Sequence, residues 1–387
     1  MNYRYLSLLT AGHLVTDINQ GALPALLPFL ISEHKLSYGA AAGLVFAANM
    51  TSSVAQPLFG LYSDRLSKPW LIPIGVFLAG VGLALIGFAS NYWLAFTAAA
   101  LAGIGIAAYH PEGARLTHFV AGEKKALGIS VFGVGGTMGI ALGPILITTS
   151  LLQWGLKGTL ILAFPATLMA LLLIGQLSAL SSFSVHPSTG KALNLSLADE
   201  WGPFRRLTGV VICRSIIFYT LNTFIPLYWI YVLKQSKASG GTALTILLGT
   251  GVVGALLGGK LADHYGDRNV IKVSYGALIP ALFFFAMSHD VTLSTLLLVP
   301  IGLTMAASYS PVVVLGQRYL PRRIAFASGI TLGLTISAGG MVVPLLGKLA
   351  DYYGLGIILW ITAGLPVLAT LIAFSLPLPR IDSDRQA

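Results

Sequence analysis

Five ionisable side chains, His13, Asp17, His110, Glu112 and Arg214, stand inside runs of sequence that are otherwise apolar. On insertion scales such a group costs about 2.5–3.5 kcal/mol in a membrane span, and it is usually kept facing a bundle interior or a watery cavity. A carboxyl group there can carry a proton, because desolvation favours its neutral form and a nearby cation favours its charged form. A guanidinium offers a planar fork that suits phosphate-like or carboxylate groups. A histidine in the same place more often serves as a structural hydrogen-bonding group. The spacings group these residues. His13, Asp17, Gln20 and Pro24 recur at helical intervals and make one polar stripe, and Arg214, Phe218 and Asn222 do likewise with Tyr219 nearby. A third group lies in Ala107-Ala108-Tyr109-His110-Pro111-Glu112-Gly113-Ala114-Arg115, where Pro111 lacks a backbone donor and frees the carbonyl of Ala107, a combination that tends to kink a helix. Either the span ends at Tyr109 and the polar residues reach the headgroups, or the span contains them. A second copy of the frame, Ala307-Ser308-Tyr309-Ser310-Pro311, favours the second reading.

The elements that must position these groups follow from composition. Of 387 residues, 56% are hydrophobic and 9% charged, against roughly 25% charged in a soluble protein. Mean hydropathy is +0.82, so the chain is expected to be an all-α polytopic membrane protein, its main partner a lipid bilayer. The net charge of +10 does not point to nucleic acid, because the basic residues are scattered between apolar runs without a basic arm. The one cysteine, Cys213, excludes an internal disulfide and a cysteine-based metal site, and neither metal nor cofactor is expected. The first apolar run is too long for a signal peptide, carries Asp17 midway and lacks a clear cleavage site.

With about 20 apolar residues needed to cross a 30 Å core, the sequence predicts twelve spans. The first six cover about 5–31, 39–61, 70–89, 93–114, 127–150 and 157–178. The second six cover about 207–233, 242–262, 270–288, 293–316, 326–347 and 355–378. The polar stretch Ser181 to Arg206 reads as a linker, giving domains of 1–180 and 207–387 joined by 181–206. With both termini in the cytoplasm, 17 of the 23 lysines and arginines fall in inner segments and five in outer ones, with Arg214 inside a span. The positive-inside rule selects that orientation.

The halves repeat. Gly60 and Asp64 match Gly259 and Asp263 at an offset of 199. Tyr109 and Pro111 match Tyr309 and Pro311 at 200, and Gly128-Ile129-Ser130 matches Gly329-Ile330-Thr331 at 201. One nearly constant offset implies duplicated six-helix units. The first match lies in Gly60-Leu61-Tyr62-Ser63-Asp64-Arg65-Leu66-Ser67-Lys68, with its counterpart Gly259-Lys260-Leu261-Ala262-Asp263-His264-Tyr265-Gly266-Asp267-Arg268. Glycine lets two helices approach closely, and the aspartate can accept hydrogen bonds where its helix ends. These segments resemble the signature loop of the major facilitator superfamily, although Ser67 replaces a glycine and His264 and Asp267 occupy usual basic positions. The resemblance implies that Gly60, Asp64, Arg65, Gly259, Asp263 and Arg268 take part in an inner gate.

Span five carries Gly133, Gly135, Gly136, Gly139 and then Gly143-Pro144. The Gly139-x-x-x-Gly143-Pro144 core resembles the antiporter motif of the superfamily's drug exporters, which implies gating roles for these three residues and favours export. Many proton-coupled exporters carry an arginine in mid-span four, where this chain has Ala98-Ala99-Ala100-Leu101. Any proton coupling must therefore rest elsewhere. The His110-Pro111-Glu112 of span four, with Gly12-His13-Leu14-Val15-Thr16-Asp17, resembles the fosmidomycin-resistance branch of exporters. Facilitator folds line a central cavity with spans one, four, seven and ten, and the ionisable residues fall in one, four and seven. The expected function is proton-coupled efflux of a small organic anion by a monomer in the inner membrane. Asp17 and Glu112 would carry protons. His13, Gln20, Tyr109, His110, Arg214, Tyr219, Asn222 and Tyr309 would bind substrate. An importer or facilitator of the same fold stays open. An enzyme is not expected, since no His-Glu-x-x-His, Gly-x-Ser-x-Gly or P-loop run is present.

Overall fold

The computed structural model describes residues 1–66, 68–122, 125–183, 198–321 and 323–379, without the side chains of 60–66, 125–127, 324–326, 328–329 and 332–337. Fourteen α-helices occur among them. They are α1 (Tyr3–His34), α2 (Tyr38–Leu66), α3 (Leu71–Ile86), α4 (Tyr92–Val120), α5 (Lys125–Trp154), α6 (Leu160–Ile174), α7 (Leu177–Ser182), α8 (Trp201–Tyr231), α9 (Lys237–Tyr265), α10 (Asp267–Met287), α11 (Val291–Ala307), α12 (Tyr309–Tyr319), α13 (Ile324–Tyr353) and α14 (Leu355–Phe374). Eight helical stretches among the described residues are long and apolar enough to cross a membrane, one of them covering both α5 and α6 and another both α11 and α12. Each of the twelve expected spans has its helix.

Two boundaries differ from the sequence expectation. Span ten is broken at Ser308 into α11 and α12. Pro311 has no N–H to give Ala307, and the Ser308 hydroxyl instead bonds the Tyr275 hydroxyl at 3.2 Å and the Met305 carbonyl at 3.1 Å. The equivalent Pro111 leaves α4 continuous to Val120, so the duplicated frame ends as one unbroken helix and one broken one. The other difference is at the linker. Helix α8 already begins at Trp201, six residues before the hydropathic run, because Phe204, three residues before that run, is buried and starts its apolar face. Much of the remaining linker, 184–197, lies outside the described residues.

The chain divides into two compact units. One comprises Met1–Pro187 with Gln235–Thr245, and the other Ser188–Lys234 with Ile246–Ala387. Inside the first unit, α1 and α5 meet backbone to backbone. A side-chain carbon at Gly135, Gly139 or Gly143 would strike the carbonyls of Thr10, Leu14 or Ile18, and one at Gly21 would strike that of Ile140. In lipid no hydrophobic driving force holds helices together, so dispersion contacts between closely apposed backbones do that work. The glycines read as an antiporter motif thus form a seam. In the second unit Gly339 of α13 lies against the Ser215 carbonyl of α8, and its N–H donates to the Ser215 hydroxyl at 2.7 Å. Gly139 and Gly339, like Pro144 and Pro344, are 200 residues apart, so the seam is duplicated along with the helices.

Candidate functional site

The seam of the first unit sets out a buried polar cluster. His13 and Asp17 are one helical turn apart on α1, and His13 Nε2 stands 3.2 Å from Asp17 Oδ2. From α4, His110 Nε2 reaches Asp17 Oδ1 at 3.1 Å. Helix α5 closes the cluster with Gly136, where a methyl group would lie 2.5 Å from His13 Nε2 and 2.7 Å from Asp17 Oδ2. Only glycine leaves room for the pair. Asp17 is 4% exposed and His13 8%, while the His110 side chain is 22% exposed and forms the open edge.

Each imidazole is held from behind. His13 Nδ1 lies 2.7 Å from the Phe132 carbonyl of α5, and the ring stacks on the Phe132 ring at 4.1 Å. His110 Nδ1 lies 2.9 Å from the Ile106 carbonyl one turn earlier on α4. A carbonyl oxygen can only accept, so both Nδ1 atoms carry the hydrogen and both Nε2 atoms face the carboxylate. Tyr109 is fully buried beside them. Its hydroxyl donates to the Leu9 carbonyl, and its ring stacks on His13 with centroids 6.0 Å apart.

Glu112 sits elsewhere. It is fully buried and held by Arg115 three residues on, with Nε to Oε2 at 2.9 Å and Nη2 to Oε1 at 2.5 Å. The two candidate carboxylates therefore occupy different settings, one between imidazoles and one in a bidentate guanidinium pair. Gln20, one turn beyond Asp17, is partly buried.

In the second unit Arg214 is 8% exposed, with its guanidinium carbon 4.6 Å from the centroid of the Tyr309 ring. That ring comes from the first turn of α12, immediately after the break at Ser308. Breaking span ten thus presents an aromatic face to the arginine, an arrangement suited to cation–π attraction. Tyr219 and Asn222 are buried on α8, and Asn222 Oδ1 receives no hydrogen bond among the described residues.

At the expected gating loops the side chains of Gly60, Asp64 and Arg65 lie outside the described residues. In the second copy Asp263 is exposed on the last turns of α9. The close approach there belongs to Gly258, packed on the Ala307 carbonyl, since a methyl group at Gly259 would meet its nearest neighbour only at 3.9 Å. Gly266 adopts φ +83°, which the turn into α10 requires and glycine supplies. Asp267, which departs from the signature pattern, is buried and pairs with Arg318 at 3.4 Å, while Arg268 is partly buried.

What sequence reasoning missed is the joining of His110 to Asp17. Their separation of 93 residues carries no signal, although the excess of ionisable groups in spans one and four hinted at a common destination.

The comparisons with known proteins agree with this architecture. The fosmidomycin resistance protein of Escherichia coli (strain K12) is 29% identical over 381 residues, covering 96% of this chain and 93% of that one. The uncharacterized MFS-type transporter YfnC of Bacillus subtilis (strain 168) is 29% identical over 384 residues, covering 97% and 93%. Among solved structures, a bacterial homologue of the human lysosomal transporter Spinster superposes with a TM-score of 0.81 at 16% identity, over 98% of this chain and 97% of that one. A D-xylose–proton symporter superposes at 0.75 with 16% identity, over 97% and 98%. These likenesses give the chain a transporter's fold rather than an enzyme's. The sequence profile of the Major Facilitator Superfamily matches residues 9–344, and the chain belongs to that family of multi-pass membrane transporters.

Proposed function

We propose that the protein is a proton-coupled exporter of a small organic anion, with a fosmidomycin-like phosphonate as the representative substrate. The observation that carries the reading is Asp17, a buried carboxylate on a span-one helix between two imidazoles. Such a group can take up and give up a proton as its neighbours move. Support for the phosphonate is the relative named for fosmidomycin resistance, matched over 96% of this chain. Arg214, with its planar fork, is the group that holds the anion, with Tyr309 against it and Tyr219 and Asn222, further along α8, as the other binding groups. Glu112 acts as a second proton carrier when it exchanges Arg115 for a proton. The protein works as a monomer by alternating access in the inner membrane, both termini in the cytoplasm, as the charge bias supports. The driving force suffices: about 2.3 kcal/mol per charge per 100 mV and about 1.4 kcal/mol per pH unit let one proton support a gradient of roughly several hundredfold.

The test is transport in proteoliposomes under an imposed pH gradient, with a pH-sensitive dye to follow protons and labelled phosphonate to follow solute. Protons moving opposite to the phosphonate are expected. Movement in the same direction would assign the protein to import, and phosphonate flux that ignores the pH gradient would remove the coupling.

A further inference from the structure

We propose that His13, Asp17 and His110 form a binding site for a divalent first-row transition cation of the zinc class. The two Nε2 atoms and a carboxylate oxygen lie within 4.8 Å of one another. With each Nδ1 hydrogen committed to a backbone carbonyl, each ring in its neutral form turns the lone pair of Nε2 toward Asp17. Asp17 is buried, and its Oδ1 faces His110 Nε2 while its Oδ2 faces His13 Nε2. Lone pairs from three residues therefore converge on one small space, and what stabilises such a convergence is positive charge placed within it.

The geometry lies within side-chain reach of a metal site. Zinc binds imidazole nitrogen and carboxylate oxygen at about 2.0–2.2 Å, which sets tetrahedral ligand atoms roughly 3.3–3.5 Å apart. The nitrogen–oxygen separations here are 3.2 Å to one carboxylate oxygen and 3.1 Å to the other, and the three ligand atoms lie within 4.8 Å of one another, so side-chain rotations that bring them together by about 1 Å admit the ion. The outer contacts match as well, because a metal-binding histidine characteristically gives its other N–H to a carbonyl or carboxylate. Two imidazoles and one carboxylate suit zinc, nickel, copper or iron. Calcium and magnesium prefer six or more oxygens. Three protein ligands leave a position free, and it opens on the His110 side, where the cluster is least covered. Arg115 of the same helix pairs with Glu112. The spacing of His13 and Asp17 is ordinary for a helix, and the third ligand arrives only through the fold.

This inference is independent of the direction of transport, and binding is measured without substrate or gradient. Full-length protein in detergent micelles, stripped of metal, is titrated with Co²⁺ and followed by its visible ligand-field bands. One saturable equivalent is expected, with bands of a four- or five-coordinate nitrogen–oxygen site that one equivalent of Zn²⁺ displaces. His13→Gln, Asp17→Asn and His110→Gln should each weaken Co²⁺ binding by about 100-fold or more, given that losing an outer contact alone costs about 10–100-fold. His118→Gln and His264→Gln should leave it unchanged. X-ray absorption at the zinc edge of the parent protein, which needs no variant to fold, should show two imidazole nitrogens at about 2.0–2.1 Å. The proposal is overturned if the parent takes up no Co²⁺, if uptake survives in the Asp17→Asn and His110→Gln variants, or if the zinc spectrum shows fewer than two imidazoles.

Discussion

Replacing Gly136 with alanine adds one methyl group, at the point where α5 faces the His13–Asp17 pair. Its carbon would lie 2.5 Å from His13 Cε1 and Nε2 and 2.7 Å from Asp17 Oδ2, whereas ordinary contact begins near 3.4 Å. The ring must therefore retreat by about 1 Å. It cannot do so freely, because it is stacked on Phe132 at 4.1 Å and bonded to the Phe132 carbonyl at 2.7 Å. A retreat of that size stretches the hydrogen bond beyond its useful range and leaves a buried polar group unsatisfied, at about 1–3 kcal/mol. Spreading α1 from α5 instead is an overpacking distortion of about 1–3 kcal/mol. The gain from replacing a helical glycine with alanine, about 1 kcal/mol, offsets part of either. Gly133, almost one turn earlier on α5, supplies the control, since a methyl group there meets nothing within 4 Å. The expected order of thermal stability in detergent is Gly133→Ala above the parent and Gly136→Ala below it, by a net 0–2 kcal/mol. Proton-driven transport in proteoliposomes should fall at least tenfold in Gly136→Ala and hold in Gly133→Ala. Equal stability and transport for the two variants would refute the close fit of α5 on the pair.

Asp17→Asn should insert and fold yet lose proton-driven transport, because an amide keeps the shape of the carboxyl but carries no proton; undiminished pH-driven flux at neutral pH would rule out the role. Glu112→Gln should destabilise by about 3–5 kcal/mol, since it removes the charged partner from a buried bidentate pair with Arg115. The double change with Arg115→Gln should recover much of that loss, as read by thermal unfolding of all three variants. Arg214→Ala should abolish saturable phosphonate binding while Arg214→Lys weakens it, and isothermal titration showing parental affinity in Arg214→Ala would reassign the arginine to structure. Tyr309→Ala should cost about 0.5–2 kcal/mol through the lost cation–π contact, and Tyr309→Phe should cost little of it, as measured in the same titration.

The helices were legible because hydropathy and length alone determine them, and the repeat was legible because Pro111, Pro311 and their neighbours keep one offset. One of the cluster's two contacts was legible too, since four residues along a helix place His13 beside Asp17 whatever the fold. His110 was recognised as out of place in a span but not as a partner of Asp17, because the meeting of α1 and α4 is a property of packing. Glu112 shows the reverse difficulty. Its neighbour Arg115 is three residues away, yet the sequence does not say whether a glutamate so placed turns to its own helix or to a cavity. The glycines of α5 were noticed for their spacing. That they seat carbonyls of α1 depends on how the two helices are rotated, which glycine cannot encode in a pattern without side chains. The break at Ser308 escaped notice since the same proline frame leaves α4 intact.

The glycine seam also divides the labour of the His13–Asp17–His110 cluster mechanically. Where α1 and α5 touch through their backbones, no side chain can act as a spring, so the two helices behave as one plate. His13 is fastened to both faces of that plate, by its own helix and by the Phe132 carbonyl. His110 is held from behind by α4 alone, through the Ile106 carbonyl, and α4 meets α1 through longer levers such as the Tyr109 hydroxyl. A shift of α4 along the plate then parts Asp17 from one imidazole and leaves the other in place. The carboxylate is like a latch with one fixed and one sliding bolt, and the sliding bolt rides on the helix that carries His110, Pro111 and Glu112.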